Sequence, residues 1–284
     1  MTRRHDNVSR TTLSTDELER FCEFLSRRTG MLFNESKRYY IDRRVAERMA
    51  AAGLADFASY FAHLRSSPAE LEAVTNAFTV NETYFYREAH QFRCLTDWLL
   101  PEVIAPMQAG ERIRIWSSPC STGEEPYSLA LWLLENWRLV DAYNIEILGS
   151  DIDTQALADA REGLYGQRSL ARLPDDVVER YFEPPRHRMR QIIPDLRESV
   201  AFSHANLVDR TSALSQGQFE VIFCRNMLIY FDDAARRTTA ENLYDALRPG
   251  GFLCLGHTES MSRIDDRFEV RRFPDAVVYQ RPGA

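Results

Sequence analysis

The sequence predicts an α/β fold in which an open, mostly parallel sheet follows an all-helical N-terminal domain. Residues 112–116 form a short apolar strand that leads through a turn of small residues into a helix beginning at Glu124. A second strand at 144–149 ends in the acidic segment Ser150–Asp153, and residues 219–224 form the apolar run of a strand buried on both faces. In open α/β sheets that bind the adenosine of a cofactor, the chain has this same order of elements: a strand, a turn of small residues, a helix, a second strand and an acidic residue.

The first domain, residues 11–80, has the apolar spacing of packed helices. Ser14 and Glu17 form a capping-box pattern that starts the first helix, and Gly30 is its expected end. Further helices are predicted at 35–52, 56–64 and 68–78.

The second of these helices is basic, and Lys37, Arg44 and Arg48 share one of its faces. One interpretation is a solvated face balanced by nearby acids. The other is a docking surface for an acidic helical partner, attracted by long-range electrostatics.

A linker at 81–91 precedes the second domain, residues 92–284, and is expected to contribute to the cofactor pocket. A small β insertion is expected at about 180–203, with strand segments near 188–193 and 200–202. The remaining predicted elements are helices at 92–107, 124–137, 154–163 and 233–247 and strands at 252–256, 268–273 and 276–280.

The composition of the chain argues against several functional classes of protein. The 284 residues are 44% hydrophobic, enough for two folding units, and the net charge of −7 argues against a general nucleic-acid binder. Five widely spaced cysteines without a CxxC pair indicate reduced thiols, so neither a disulfide framework nor a metal site is predicted. Without a signal-peptide pattern or a membrane-length apolar run, we expect a cytoplasmic monomer that does not insert into membranes.

The turn after the first strand argues against a diphosphate nucleotide. It contains one glycine, Gly123, and lacks the GxGxxG pattern. Glu124 and Glu125 occupy the first helical turn, where a pyrophosphate needs uncrowded backbone amides. Two carboxylates suit an ammonium and a sulfonium, which favours S-adenosylmethionine over NAD or ATP. The alternative is that both acids merely stabilise the helix dipole.

Polar residues follow the later strands and the linker. Asn206 and Leu207 lie where a side-chain and a backbone amide could bind an adenine edge. Residues 224–231 follow the buried strand at the carboxyl edge of the sheet, where Tyr230 is either a site residue or part of the core.

In the linker, Asn81, Thr83 and Arg87 alternate and could cross the mouth of the pocket. Their structural alternatives are a helix cap for Asn81 or Thr83 and an ion pair with Glu88 or Asp97 for Arg87.

Together these segments closely resemble the CheR family of chemotaxis receptor glutamate O-methyltransferases. The resemblance runs from about residue 13 to 280, with the motifs in family order. The matching motifs are TVNETYFYREAHQF (79–92), STGEEPYS (121–128), SDIDT (150–154), ANL (205–207), CRNMLIYF (224–231) and GHTES (256–260).

The resemblance implies a class I methyltransferase core with a small β-subdomain insertion, preceded by an all-α domain. It implies methyl transfer from S-adenosylmethionine to glutamate side chains on the cytoplasmic helices of methyl-accepting chemoreceptors, with S-adenosylhomocysteine as product. Lys37, Arg44 and Arg48 would dock the receptor, while Arg87 and Tyr230 would line the place of methyl transfer. The implied cofactor contacts are Asn81, Thr83, Arg87, Glu125, Asp151, Asn206, Leu207, Arg225 and Asn226.

This chemistry needs no general base, because a glutamate carboxylate with an ordinary pKa of about 4.3 is already a nucleophile at neutral pH. Alignment of oxygen, methyl carbon and sulfur then supplies most of the catalysis. Arg87 would steer the carboxylate and Tyr230 would orient it.

The chain departs from the members that tether to a receptor's C-terminal pentapeptide, because its segment from Phe182 to Val200 is shorter. We therefore expect no pentapeptide tether. Two other functions stay open at this point: a class I methyltransferase acting on another substrate, and a non-catalytic module that senses cofactor or product and binds receptors.

Overall fold

The computed structural model describes residues 12–283 and separates into two compact units that divide between Thr79 and Val80. Each unit has its own apolar core. All five cysteines are free and buried, and burial raises the pKa of Cys22 to about 11 and that of Cys94 to about 12. No helix within 12–283 is long and apolar enough to span a membrane.

The N-terminal unit is all-helical, as the sequence predicts. Ser14 accepts a hydrogen bond from the Glu17 amide at 3.3 Å, while the Ser14 amide donates to the Glu17 carboxylate at 2.8 Å. Gly30 ends this helix with a left-handed φ of 76°. The predicted start and stop are thus confirmed. The helices are α1 (Thr15–Thr29), α2 (Arg38–Ala51), α3 (Phe57–Ser66) and α4 (Pro68–Phe78), with a 3₁₀ turn at Glu35–Lys37.

The helix predicted at 35–52 is divided. Asn34 caps the 3₁₀ turn by accepting a hydrogen bond from the Ser36 amide at 3.1 Å, and α2 begins at Arg38. Ile41, Val45 and Met49 are buried along one face of α2, in agreement with their spacing.

The second unit is built on a seven-stranded sheet with the order β5-β2-β1-β6-β7-β9-β8. Its first five strands are parallel and its last two pair antiparallel, which confirms the predicted α/β class. The strands of the unit are β1 (Arg112–Ser117), β2 (Asn144–Asp151), β3 (Leu164–Gly166), β4 (Met189–Gln191), β5 (Val200–His204), β6 (Phe219–Cys224), β7 (Leu247–Leu255), β8 (Glu269–Phe273) and β9 (Ala276–Gln280).

Strand register brings the predicted motifs to one edge. Ser117 at the end of β1 is opposite Gly149 of β2 and Phe223 of β6. Because parallel strands end at the same side of a sheet, the segments that follow β1, β2 and β6 meet there. The helices of this unit are α5 (Ala89–Cys94), α6 (Leu100–Ile104), α7 (Glu124–Asn136), α8 (Thr154–Glu162), α9 (Gln167–Leu170), α10 (Asp175–Tyr181), α11 (Pro194–Glu198), α12 (Arg210–Leu214) and α13 (Asp233–Ala246).

The helix predicted at 92–107 is present over 89–104, as the contiguous segments α5, a π-helical turn at Leu95–Leu99 and α6. Pro101 lies at the start of α6, where it has no amide to donate to the preceding turn. The wider π turn accommodates this missing hydrogen bond.

The boundaries of the β insertion differ from the sequence analysis. The two-stranded sheet pairs β3 with β4, so it begins before residue 180. Val200–His204, placed in the insertion from its alternating pattern, instead forms β5 and pairs in parallel with β2. An edge strand with one buried face alternates in the same way as an isolated hairpin strand, which is why the prediction for 200–203 was wrong.

Candidate functional site

The turn between β1 and α7 is closed by packing around its one glycine. Gly123 has a φ of 93°, and a Cβ atom there would lie 2.9 Å from the Ala160 Cβ and 3.0 Å from the Tyr165 hydroxyl. The Tyr165 hydroxyl also donates to the Thr122 carbonyl at 2.7 Å. Gly123 therefore lets α8 and β3 approach the turn, and it does not form an open cradle for phosphates.

The two acids that begin α7 have different surroundings. Glu124 is buried and accepts hydrogen bonds from the Thr122 and Ser169 hydroxyls, both at 2.7 Å. Burial raises the pKa of Glu124 above its ordinary value. The expectation that both acids face a cationic ligand is wrong for Glu124, because consecutive helical residues point in directions about 100° apart.

Glu125 faces the strand ends. Its carboxylate accepts a hydrogen bond from the Ser117 hydroxyl at 2.8 Å and pairs with Arg225 Nη1, also at 2.8 Å. The Glu125 side chain is 13% exposed. The ion pair of Glu125 with Arg225 is thus part of the charged centre of this edge.

Arg225 connects the strand end to the linker. Its side chain is 2% exposed, and Nη2 donates to the Arg87 carbonyl at 2.7 Å and lies 3.2 Å from the Glu88 carboxylate. The guanidinium also lies over the Phe92 ring, 5.8 Å from the centroid. Its Nε is buried without a partner among the described residues.

The linker around Arg87 has an irregular backbone. Tyr86 and Glu88 both have left-handed φ angles, 56° and 57°. Arg87 Nη1 donates to the Glu82 carbonyl at 2.7 Å, and its guanidinium lies 5.8 Å from the Tyr84 ring centroid. The ion pair considered between Arg87 and Glu88 is replaced by pairing of Glu88 with Arg225.

Asp151 stabilises the turn at the end of β2. Its two oxygens accept the amides of Asp153 at 2.9 Å and Ser121 at 2.8 Å, and the side chain is almost fully buried. Burial outweighs these hydrogen bonds and raises the pKa of Asp151 to about 6. Asp151 thereby joins the β1–α7 turn to the second strand.

Asn81 extends this cluster from the linker. Its amide donates to the Asp153 carboxylate at 2.8 Å, and its carbonyl oxygen accepts a hydrogen bond from the Ser121 hydroxyl at 3.0 Å. Asp153 also caps α8 by accepting the amides of Gln155 and Ala156. The structure therefore brings Asn81 and Asp151 together through Ser121. Thr83, two residues farther along the linker, is partly buried.

Asn206 and Leu207 form the loop after β5. The Asn206 side chain accepts the Val208 amide at 3.2 Å, and the Leu207 carbonyl accepts a hydrogen bond from the Asn242 amide at 2.9 Å. The preceding Ala205 amide donates to the Asp151 carbonyl at 3.0 Å, which places this loop next to the Asp151 turn.

Asn226 and Tyr230 belong to the loop after β6, which is organised by Glu259. The Glu259 carboxylate accepts the amides of Asn226 and Leu228, both at 2.7 Å, and that of Gly256 at 2.9 Å. Asn226 is left-handed, with a φ of 57°, and Tyr230 ends a 3₁₀ turn at Leu228–Tyr230. Burial raises the pKa of Glu259.

Sequence reasoning quoted Glu88, Asp153, His257 and Glu259 within matching motifs but assigned none of them an individual role at this edge. Glu88 follows Arg87 directly, and Glu259 lies in the motif GHTES, so their positions beside predicted residues were the available signal. Their partners are far apart in sequence, and only the fold shows them. Among residues 12–283, no cluster of acids, histidines and cysteines could hold a metal ion.

The three basic residues of the N-terminal unit have different partners. Arg48 makes a two-pronged contact with Glu70, at 3.0 and 2.6 Å, and Glu70 also accepts a hydrogen bond from Tyr60. The Arg44 side chain is 38% exposed and 3.4 Å from Glu47. Lys37 lies 5.8 Å from the Phe33 ring centroid.

Comparison with known proteins places this architecture in a family. Residues 16–79 match the model described as CheR methyltransferase, all-alpha domain, and residues 81–277 match CheR methyltransferase, SAM binding domain. Chemotaxis protein methyltransferase 2 of Vibrio cholerae serotype O1 is 46% identical over 265 residues, covering 93% of this chain and 92% of the relative. Chemotaxis protein methyltransferase of Salmonella typhimurium is 34% identical over 269 residues, covering 93% and 90%. This chain therefore belongs to the CheR family of S-adenosylmethionine-dependent chemotaxis methyltransferases.

Proposed function

We propose that this protein converts glutamate side chains on the cytoplasmic helices of methyl-accepting chemoreceptors to γ-methyl esters, for sensory adaptation. The observation that carries the proposal is the contact of Arg225 with both Glu125 and the Arg87 backbone. It joins the charged centre at the strand ends to the arginine expected to meet the substrate.

The residues at the strand ends fit S-adenosylmethionine. Glu125 offers a carboxylate to a cationic ligand, and Arg225 offers a guanidinium to a carboxylate, so the pair matches an amino-acid moiety. Asp151 uses one lone pair of each oxygen for a backbone amide, which leaves acceptor capacity for a ribose diol. The closed packing around Gly123 and the acids at the start of α7 both disfavour a diphosphate.

Asn81, Thr83, Asn206, Leu207 and Asn226 complete the proposed contacts from the linker and from the loops after β5 and β6. Asn81 is already oriented by Asp153 and Ser121. A preformed arrangement of this kind lowers the cost of ordering the site on binding.

The bound cofactor supplies a methyl carbon made electrophilic by its sulfonium. Arg87 binds and orients the substrate carboxylate without drawing it away from its nucleophilic role. One of its five donors holds the Glu82 carbonyl, so the others are available for this task. Tyr230 donates a hydrogen bond that fixes the angle of the attacking oxygen. Alignment in a site that excludes water can lower the barrier by about 7–11 kcal/mol.

For docking, we propose that Lys37 and Arg44 present positive charge to the acidic receptor helices. Arg48 contributes differently from the sequence expectation, because Glu70 already neutralises much of its charge. We assign Arg48 the role of fixing α2 against α4 below that surface.

We further propose that the protein acts as a monomer without a pentapeptide tether. A tight turn comes directly before β4, where Arg186 and Met189 exchange backbone hydrogen bonds at 2.8 and 3.0 Å across His187 and Arg188. Both turn residues have positive φ, 50° and 66°, as in a two-residue hairpin. So short a turn offers little additional backbone for a peptide to pair with.

The test is incubation of the protein and methyl-labelled S-adenosylmethionine with receptor cytoplasmic fragments or with RNA. Label in the receptor fragment that is released by mild base, as an ester is, supports the proposal. Label in RNA, or none in any receptor fragment, contradicts it. Receptor fragments with and without the C-terminal pentapeptide should be methylated at equal rates, and measurable binding of the free pentapeptide would overturn the untethered assignment.

A further inference from the structure

Glu88 joins three loops at the carboxyl edge of the sheet. One of its oxygens lies 3.2 Å from Arg225 Nη2 and accepts a hydrogen bond from Gln91 Nε2 at 2.9 Å. The other lies 2.7 Å from His257 Nδ1 in the loop after β7. Glu88 therefore couples the linker to the loops that follow β6 and β7.

Two carboxylates lie against the buried Arg225 guanidinium, although one would be enough to neutralise its charge. Glu125 alone could neutralise the guanidinium, yet Glu88 provides a second carboxylate. Burial raises the pKa of Glu88, but Arg225 and His257 lower it more, so Glu88 is ionised at neutral pH. When Glu125 turns toward a cationic ligand, Glu88 keeps the buried guanidinium paired, which avoids the cost of an isolated buried charge.

The backbone supplies the second part of the argument. Arg87 lies between two non-glycine residues with left-handed φ, a conformation that persists only where the surroundings hold it. Its carbonyl is held by Arg225 Nη2, the same nitrogen that faces Glu88. The orientation of Arg87 thus depends on the position of Arg225.

We propose that Glu88 is a positioning residue for methyl transfer. It fixes the Arg225 guanidinium, which in turn holds the Arg87 backbone at a constant position relative to Glu125. The inference rests on the proposed function, since it concerns how Arg87 is presented to the substrate. Glu88 itself contacts neither cofactor nor substrate, and His257 supports it from the outer side, where the imidazole side chain is 63% exposed.

The test is Glu88→Gln in the full chain, assayed with a receptor cytoplasmic fragment and S-adenosylmethionine. We expect kcat to fall about tenfold or more, because small displacements of positioning groups have effects of this size. The KM for receptor should stay within about twofold and the calorimetric Kd for S-adenosylmethionine within about threefold, at full binding stoichiometry. Glu241→Gln, an exposed glutamate on α13, is the matched control and should retain wild-type kcat.

A Glu88→Gln protein that binds cofactor with full stoichiometry and keeps wild-type kcat overturns the inference. If that variant does not fold, His257→Ala, which removes the side-chain contact with Glu88, decides the question: a fall in kcat of about threefold or more supports the inference, and a smaller one overturns it. Failure of the wild-type protein to esterify receptor fragments contradicts the proposed function instead. The two failures are therefore distinguishable.

Discussion

At the residue scale, adjacent side chains in this site perform different tasks. Glu124 is satisfied by two hydroxyls inside the domain, whereas Glu125 faces Arg225 at the sheet edge. The local pattern predicted that acids begin α7, and only the family resemblance singled out Glu125, because the difference between the two acids depends on the surroundings of each side chain.

The two glutamates give a matched pair of substitutions. Glu125→Gln should weaken S-adenosylmethionine binding by about 1–3 kcal/mol, because it removes a charged partner from a partly buried site. Glu124→Gln should leave the affinity within about twofold, since its amide oxygen still accepts from one of the two hydroxyls and its NH2 group can donate to the oxygen of the other. Calorimetry on both variants checks this. Equal losses of affinity would contradict the separation of roles.

The raised pKa of Asp151 predicts that the stability of the folded protein depends on pH. Its folded-state pKa of about 6 lies above its ordinary value of 3.8, so the protonated form is favoured by folding and the stabilisation is lost as pH rises through 6. The unfolding free energy of wild type relative to Asp151→Asn should therefore fall by about 1 kcal/mol between pH 5 and pH 8. Urea unfolding of both proteins at the two pH values measures it. A difference that rises with pH would show that the pKa of Asp151 is lowered instead.

Asp151 is also the residue proposed to bind ribose. Asp151→Ala should weaken S-adenosylmethionine by about 1–3 kcal/mol through lost hydrogen bonds, and also loosen the Ser121 turn. Calorimetry with a thermal-melting control separates the two effects. Unchanged cofactor affinity in a folded variant would remove the ribose assignment.

At the element scale, periodicity predicted the elements whose signals are local. The capping box of α1, the extent of β6 and the antiparallel pair β8–β9 are present where the pattern placed them. The assignment of β5 to the insertion was wrong, because pairing with β2 is a long-range choice that an alternating pattern does not specify. The contacts of Glu88 and Glu259 were missed for the same reason.

Gly123 in the β1–α7 turn and Gly110, which precedes β1, give a second pair of substitutions. Gly110→Ala places a Cβ in open space at a φ of 87°, so only backbone strain of about 1–2 kcal/mol is expected. Gly123→Ala adds a close approach to Ala160 and Tyr165 and should cost roughly a further 1–3 kcal/mol. Thermal or urea unfolding compares the two. Equal destabilisation would mean that the turn can move away from α8.

At the scale of the whole molecule, an acidic protein is proposed to carry a local basic surface for its receptor. A net charge of −7 argues against a generally basic binder, yet Lys37 of the 3₁₀ turn and Arg44 and Arg48 of α2 were expected to share one basic face. The sequence predicted this face, but not that Glu70 binds one of its members, because α4 follows α2 only after an intervening helix.

Charge reversal at Arg44 tests the docking surface. Arg44→Glu should lower kcat/KM for receptor roughly three- to tenfold at low ionic strength, and the difference should shrink as salt screens the charges. Arg65→Glu, an exposed arginine on α3, is the matched control, and neither variant should change cofactor affinity. Equal rates for Arg44→Glu and wild type at every ionic strength would remove the docking role.

The burial of every thiol has a practical consequence for following this protein in solution. Because the thiolate is the reactive form, thiols with raised pKa values react slowly with maleimides and peroxides. A cysteine introduced at Tyr39, which is 76% exposed, would then be the preferred site of attachment for a fluorophore. Receptor encounter could be observed optically without first removing the native sulfhydryl groups.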